Sequence, residues 1–179
     1  MAESTLVSDT SVGYSRTPLL QKLGIKSGFK IVVLNAPHDY RTKLGELPDN
    51  VTIERRLVGH LDFIHFFTRS RLQLESEFPK LKGMLSRSGM LWISWPKSSS
   101  GLETDLSENI VRRAGLDSGL VDVKIVAVDE TWSGLKFVFR LKDREGISNA
   151  LSAERRSRAS PKSGRLRSRT GNPNPRSQR

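Results

Sequence analysis

Three features of this 179-residue chain predict an α/β fold: a mostly parallel sheet between two helical layers, closed by a C-terminal antiparallel hairpin. Dense apolar runs at Lys30–Asn35, Leu61–Phe67 and Met90–Trp95 read as strands buried on both faces. Helix-spaced apolar residues separate later runs, as parallel strands joined by crossovers require. Val121–Val128 and Leu135–Leu141 are linked only by Asp129–Gly134, a connection that suits a hairpin and is too short for a crossover.

Each element has a local reason. Pro18–Leu23 is a short apolar turn or helix ended by Gly24, and Gly28 precedes the first strand. That strand stops at Asn35-Ala-Pro37. Asp39–Leu47 suits a short helix closed by Pro48-Asp-Asn50, and Val51–Leu57 alternates as a short outer strand. Ser70 opens a helix in which Leu74, Phe78, Leu81 and Leu85 recur at spacings of four, three and four; Pro79 predicts a kink or a junction inside it. Gly89 ends the connection to the strand Met90–Trp95. Asp105, with Glu108 three residues on, has the spacing of a capping box for a helix carrying Leu106, Ile110 and Ala114 on one stripe. Gly115 or Gly119 ends that helix. Together these give a Rossmann-like three-layer sandwich.

Charge divides the chain. The formal net charge is +11, and residues 146–179 carry nine basic residues against the single acid Glu154. This stretch is rich in Ser, Pro, Asn and Gly and lacks apolar periodicity, so ordering it would bury too little surface to offset the lost entropy. The expected organisation is a flexible leader over 1–13, a folded domain over 14–143 and a disordered basic tail over 144–179. The chain has no cysteine, which excludes disulfides, thiolate metal sites and a cysteine nucleophile. No basic-then-apolar leader and no long apolar run is present, so a cytoplasmic setting without membrane attachment is expected.

The order of elements from Gly89 onward, a strand, a helix ending Arg113-Ala-Gly-Leu116, then two closing strands, resembles the C-terminal half of S-adenosylmethionine-dependent methyltransferases. Tyr14-Ser-x-Thr-Pro-Leu19, Lys22-Leu-Gly-Ile-Lys26, Trp95-Pro-Lys97, Thr104-Asp-Leu-Ser-Glu108 and Asp129-Glu-Thr-Trp-Ser-Gly-Leu135 resemble a family of small bacterial proteins of unknown function, itself methyltransferase-like. The likeness spans about residues 14–141 and implies a methyltransferase-like topology and a bacterial cytoplasmic setting. It implies no established activity and carries over no catalytic residue. Against the methyltransferase pattern, the first strand ends in Asn35-Ala-Pro-His38 without the glycine turn that lets backbone approach the cofactor. The acid expected at the end of the second strand is also missing: Glu54 reads as mid-strand, followed by Arg55 and Arg56. No cofactor is therefore evident in the sequence, and S-adenosylmethionine is not expected.

In open α/β sheets, ligands bind beyond the carboxyl ends of the strands. That rule brings Asn35, His38, Thr68, Arg69 and Lys97 to one edge, with Asp129, Glu130 and Trp132 in a loop able to reach it. His38–Asp39 as an acid–base pair competes with a solvated turn, and the turn is favoured. Lys97 could hold an anionic group, against an ordinary surface lysine. Asp129–Glu130 as paired carboxylates competes with a polar hairpin loop, also favoured. Trp95 and Trp132 line a cleft or cap the core. His60 and His65 fall on opposite faces of a strand, so they form no metal pair, and His65 reads as a hydrogen-bonded core histidine. No metal site is expected.

The tail offers a second class of function. Arg155, Arg156 and Arg158, then Arg165, Arg167 and Arg169, alternate with serine in a way that suits non-specific contact with nucleic-acid phosphates; no aromatic is present to read bases. The leading expectation is a non-catalytic domain binding a small ligand or a protein partner. The alternatives are a divergent methyltransferase, or another enzyme using the strand edge, and a nucleic-acid-associated protein acting through its tail.

Overall fold

A computed structural model describes residues 17–144, so the leader over 1–13 and all but the first residue of the expected tail, including the candidate arginines Arg155, Arg156, Arg158, Arg165, Arg167 and Arg169, lie outside the described residues. Six strands form one sheet in the order β2-β1-β3-β4-β6-β5. They are β1 (Lys30–Leu34), β2 (Thr52–Glu54), β3 (Leu61–Phe67), β4 (Leu85–Pro96), β5 (Leu120–Ala127) and β6 (Trp132–Phe139). The first four are mutually parallel, whereas β6 runs antiparallel to both β4 and β5. This is the expected α/β sandwich, a mostly parallel sheet with a closing antiparallel hairpin.

Alternation across the strands divides the core into two layers. On one face, α3 (Arg71–Met84) and α4 (Glu108–Asp117) cover Val32, Ile64, Phe66, Leu91, Ile93 and Phe137. On the other, α1 (Leu19–Leu23) and α2 (Tyr40–Leu44) cover Ile31, Phe63, Phe67 and Trp92. Trp92, Phe63, Phe67, Phe78 and Phe137 are among the largest fully buried side chains. Each contributes roughly 2–3 kcal/mol by leaving water, which is why the dense apolar runs had to become central strands.

Several local expectations are corrected. Pro79 neither breaks nor divides α3, which is continuous under a Ser70 N-cap whose hydroxyl accepts from the Gln73 amide. Strand β4 begins at Leu85, not after Gly89, with a pairing irregularity opposite Leu61–Phe63. The cap of α4 is Ser107, accepting from the Ile110 amide. Asp105 instead receives the Arg71 amide at 2.6 Å, capping a different helix 34 residues upstream. Strand β6 starts at Trp132 and ends at Phe139, and residues 141–144 form a helical turn. The link from β2 to β3 is not helical: residues 55–60 pass over β1, with Leu57 packed into the α3/α4 layer.

Close approach explains Gly115. A Cβ at that position would stand 2.0 Å from the Phe137 ring, so α4 seats on the sheet only because this residue has no side chain.

Candidate functional site

The carboxyl ends of β1, β2, β3 and β4 share one edge, and the sheet changes direction between β1 and β3: β2 lies on one side of β1, and the rest of the chain continues on the other. Such a switch point leaves a crevice where the flanking connections part.

The β1 turn is made by Asn35 at φ 55°, in the left-handed region. Asparagine enters that region several-fold more readily than most residues. It therefore supplies the sharp turn that the absence of glycine seemed to forbid. Its Nδ2 donates to the Phe67 carbonyl at 3.2 Å, tying the β1 turn to the end of β3 and drawing the side chain toward β3.

Strand β2 is only three residues long and ends on Glu54, because Arg55 and Arg56 already belong to the passage over β1. The acid read as mid-strand is thus the strand's last residue, paired in register with Val32 of β1. Its half-buried side chain has no hydrogen-bond or ion-pair partner among the described residues.

On the other side of the switch, Asp129 organises the hairpin loop. It is 7% exposed. Its Oδ1 accepts from the Thr131 and Trp132 amides at 2.8 and 2.7 Å. Its Oδ2 takes the Lys43 ammonium at 2.7 Å, and Lys43 also reaches Asp39 at 2.6 Å. Lys97 Nζ donates to the Asp129 carbonyl at 2.7 Å, while the Lys97 amide donates to the Thr131 carbonyl. The hydrogen bonds to Asp129 and then Asp39 raise the Lys43 pKa, and the Lys43 hydrogen bond lowers that of Asp39.

Lys97 and Asp129 therefore do meet, and Lys43 joins them to the α2 entrance. The other candidates separate. His38 and Glu130 are exposed, Asp39 pairs with Lys43 and not with His38, and the Asp129 carboxylate turns inward while Glu130 faces solvent, so the two do not form a carboxylate pair. Trp132 is half-buried with its ring edge-on to Phe67 at 5.2 Å, and Trp95 is a core residue. Lys43 was missed, although its i,i+4 spacing from Asp39 is visible in the sequence.

A hollow of about 530 Å³ opens at the ends of β3 and β4, lined by Arg69, Ser70, Gln73, Glu103, Thr104 and Asp105. Two bonds hold its walls together: Thr104 donates to the Arg69 carbonyl at 2.7 Å, and the Thr68 hydroxyl donates to Gln73 at 2.6 Å. A larger hollow of about 830 Å³ lies between α3 and α4, but Arg71, Glu75 and Arg112 in its wall are already ion-paired.

Beneath α2 runs a buried polar chain. Tyr40 Oη and His65 Nδ1 are 2.7 Å apart, and His65 Nε2 and Ser94 Oγ are also 2.7 Å apart. His65 is fully buried and stacks on Phe67 at 4.2 Å, so it is the hydrogen-bonded core histidine expected. Burial pushes its pKa down to about 3 and that of Tyr40 upward. Among the described residues, no group of acids and histidines could hold a metal, and no helix is long and apolar enough to cross a membrane.

No family model and no curated protein matches the chain. Solved structures do. A SAM-dependent methyltransferase from Aquifex aeolicus is similar at 16% identity and a TM-score of 0.48, over 66% of this chain and 86% of that one. Aeropyrum pernix fibrillarin with natively bound S-adenosyl-L-methionine is similar at 15% identity and 0.46, over 67% and 73%. A magnesium protoporphyrin IX methyltransferase from Synechocystis with bound SAM is similar at 9% identity and 0.46, over 68% and 74%. The expectation that excluded S-adenosylmethionine is corrected by the fold of this chain itself, and two of the similar structures hold that cofactor. Both sequence arguments behind that exclusion also fall, since Asn35 makes the turn and Glu54 ends its strand.

Proposed function

We propose that this domain binds a nucleoside-bearing ligand of the S-adenosylmethionine class at the β1–β2 end of the switch-point crevice, and acts as a divergent methyltransferase. One observation carries the reading: Glu54 is a partnerless, half-buried carboxylate on the last residue of β2, beside β1. A carboxylate there accepts from two neighbouring ribose hydroxyls, and such charge-assisted bonds are about twice as strong as neutral ones. Asn35 turns the β1 exit sharply and folds its own side chain onto β3, which leaves the turn's backbone at the crevice. The donor group supplies an electrophilic methyl when bound.

The acceptor occupies the hollow at the β3 and β4 ends. Arg69, Gln73, Glu103 and Asp105 give it a polar wall able to orient a polar acceptor. The Lys43–Asp129–Lys97 cluster holds the hairpin loop against the α2 entrance, so its role is to keep the crevice in shape. Trp132 on Phe67 closes the apolar side of the same corner.

Calorimetry with S-adenosylmethionine and S-adenosylhomocysteine tests the reading. The wild-type chain should bind at least one of them in the micromolar range, and Glu54→Gln should weaken it by about tenfold, the loss of one charge-assisted contact. A wild-type chain that binds neither at millimolar concentration refutes the proposal. Equal binding by Glu54→Gln removes Glu54 from the site.

A further inference from the structure

The face of the sheet that carries α1 and α2 has a basic patch at its β6–β5 end. Along β6, Leu135 and Phe137 enter the α3/α4 layer, so Lys136 between them projects to the opposite face. Its direct cross-strand neighbours are Trp92 on β4 and Lys124 on β5. Trp92 donates to the Leu23 carbonyl and Lys124 to the Lys22 carbonyl, so the C-terminal end of α1 lies over this row. Gly24-Ile25-Lys26 leaves α1 from there, and the Arg144 guanidinium is anchored on the Phe139 carbonyl at 2.8 Å.

Lys136 is half-buried, yet none of Lys26, Lys124, Lys136 and Arg144 has a carboxylate partner among the described residues. Asp122, the acid of β5, pairs with Phe137 in register and turns to the other face, where Arg112 holds it. Two lysines directly opposite each other in a sheet repel, and lysine is seldom buried unpaired. Burial first, and then the charges of Lys124, Lys26 and Arg144, lower the Lys136 pKa. The arrangement costs stability in the free domain.

We propose that Lys26, Lys124, Lys136 and Arg144 form a sequence-independent binding site for the phosphate backbone of a nucleic acid. Neighbouring strands stand about 5 Å apart, so the Lys124 and Lys136 ammonium groups can both reach one phosphate. The ring paired across the strand from Lys136, Trp92, is fully buried and offers no face on which a base could stack, so contact along the Lys124–Lys136 row is to backbone and not to sequence. Beyond Arg144 the chain carries nine basic residues against two acids, Glu145 and Glu154, which favours a long polyanion over a compact acidic protein. This site is separate from the crevice of Glu54, and either can fail without the other.

The test uses the full chain and a fluorescein-labelled uridine 20-mer, followed by anisotropy between 50 and 300 mM salt. Lys124→Gln/Lys136→Gln should weaken binding at 50 mM salt at least tenfold. It should also flatten the slope of log K against log salt by about 1.4, for two lost single-strand phosphate contacts. Lys80→Gln, on the other face, should change affinity by no more than the loss of one general surface charge. Lysine-acetylation footprinting of the wild-type chain reads the same contact without a variant: the oligonucleotide should protect Lys124 and Lys136 more than Lys80. Unchanged affinity and slope in the double variant, or absent protection of both lysines, overturns the proposal. Poly-glutamate that binds tighter than the oligonucleotide overturns the nucleic-acid assignment in favour of an acidic protein.

Discussion

Acidification should destabilise this domain through one residue, His65. Its imidazole is fully buried, bridged between Tyr40 Oη and Ser94 Oγ, and its pKa is pushed down to about 3 by burial. In the unfolded chain a histidine titrates near 6.5. Between those values the unfolded state binds the proton and the folded state does not, so stability rises with pH across this window and is complete above about pH 6.5. The whole window is worth an upper bound of about 5 kcal/mol; the part between pH 7.5 and 5 is about 2 kcal/mol. Asp39, held low by Lys43, loses its contribution only below the ordinary carboxylate range, so the interval from pH 7.5 to 5 isolates the histidine. Urea denaturation at a series of pH values measures the loss. In His65→Gln, which retains a donor and an acceptor but no titrating ring, the pH 7.5 to 5 loss should largely vanish, whatever its baseline stability. In the wild type, the His65 ring resonances should not titrate between pH 5 and 8. A His65 titration near pH 6.5, or stability that is flat or rises on acidification, refutes the reasoning.

Gly115→Ala should destabilise the fold despite improving helix propensity by about 1 kcal/mol, because its methyl would stand 2.0 Å from the Phe137 ring; overpacking of that severity costs about 1–3 kcal/mol or more, and a melting temperature equal to or above wild type would contradict it. Asp129→Ala removes two backbone amide bonds and the Lys43 ion pair at a nearly buried site, and should cost about 2–3 kcal/mol by denaturant unfolding; Asp129→Asn should recover part of that through the amide bonds alone. Lys97→Ala should cost less, about 1 kcal/mol, since its ammonium meets a carbonyl at the half-buried hairpin loop; loss of folding on that single change would show that Lys97 carries more of the loop than its geometry supports.

The fold was legible because its determinants are local and periodic. Lys30–Leu34, Leu61–Phe67 and the core of β4 are apolar on both faces, and only a covered parallel sheet accepts such runs. The short link between β5 and β6 dictated the antiparallel close, and Ser70 and Gly24 marked helix ends by chemistry contained within a few residues. The site was legible only in part. The rule for parallel sheets brought Lys97 to one edge and left the Asp129 loop within reach of it, but what the two do there depends on Lys43, a residue 86 positions from Asp129.

The remainder depended on facts with no local trace. Glu54 became a strand-end acid because β2 stops after three residues, and it stops because residues 55–60 must cross β1 to reach β3. Asp105 caps α3 rather than its own helix because the two chain segments meet at the β3 edge. Asn35 replaces glycine because its side chain is pulled onto the Phe67 carbonyl across the sheet. Lys136 is an ordinary alternating lysine in sequence; register alone sets it against Lys124 and turns Asp122 away from both. Periodicity along the chain determines which elements form, whereas partners across the sheet decide which of their polar groups are left unsatisfied, and those are the groups that can bind.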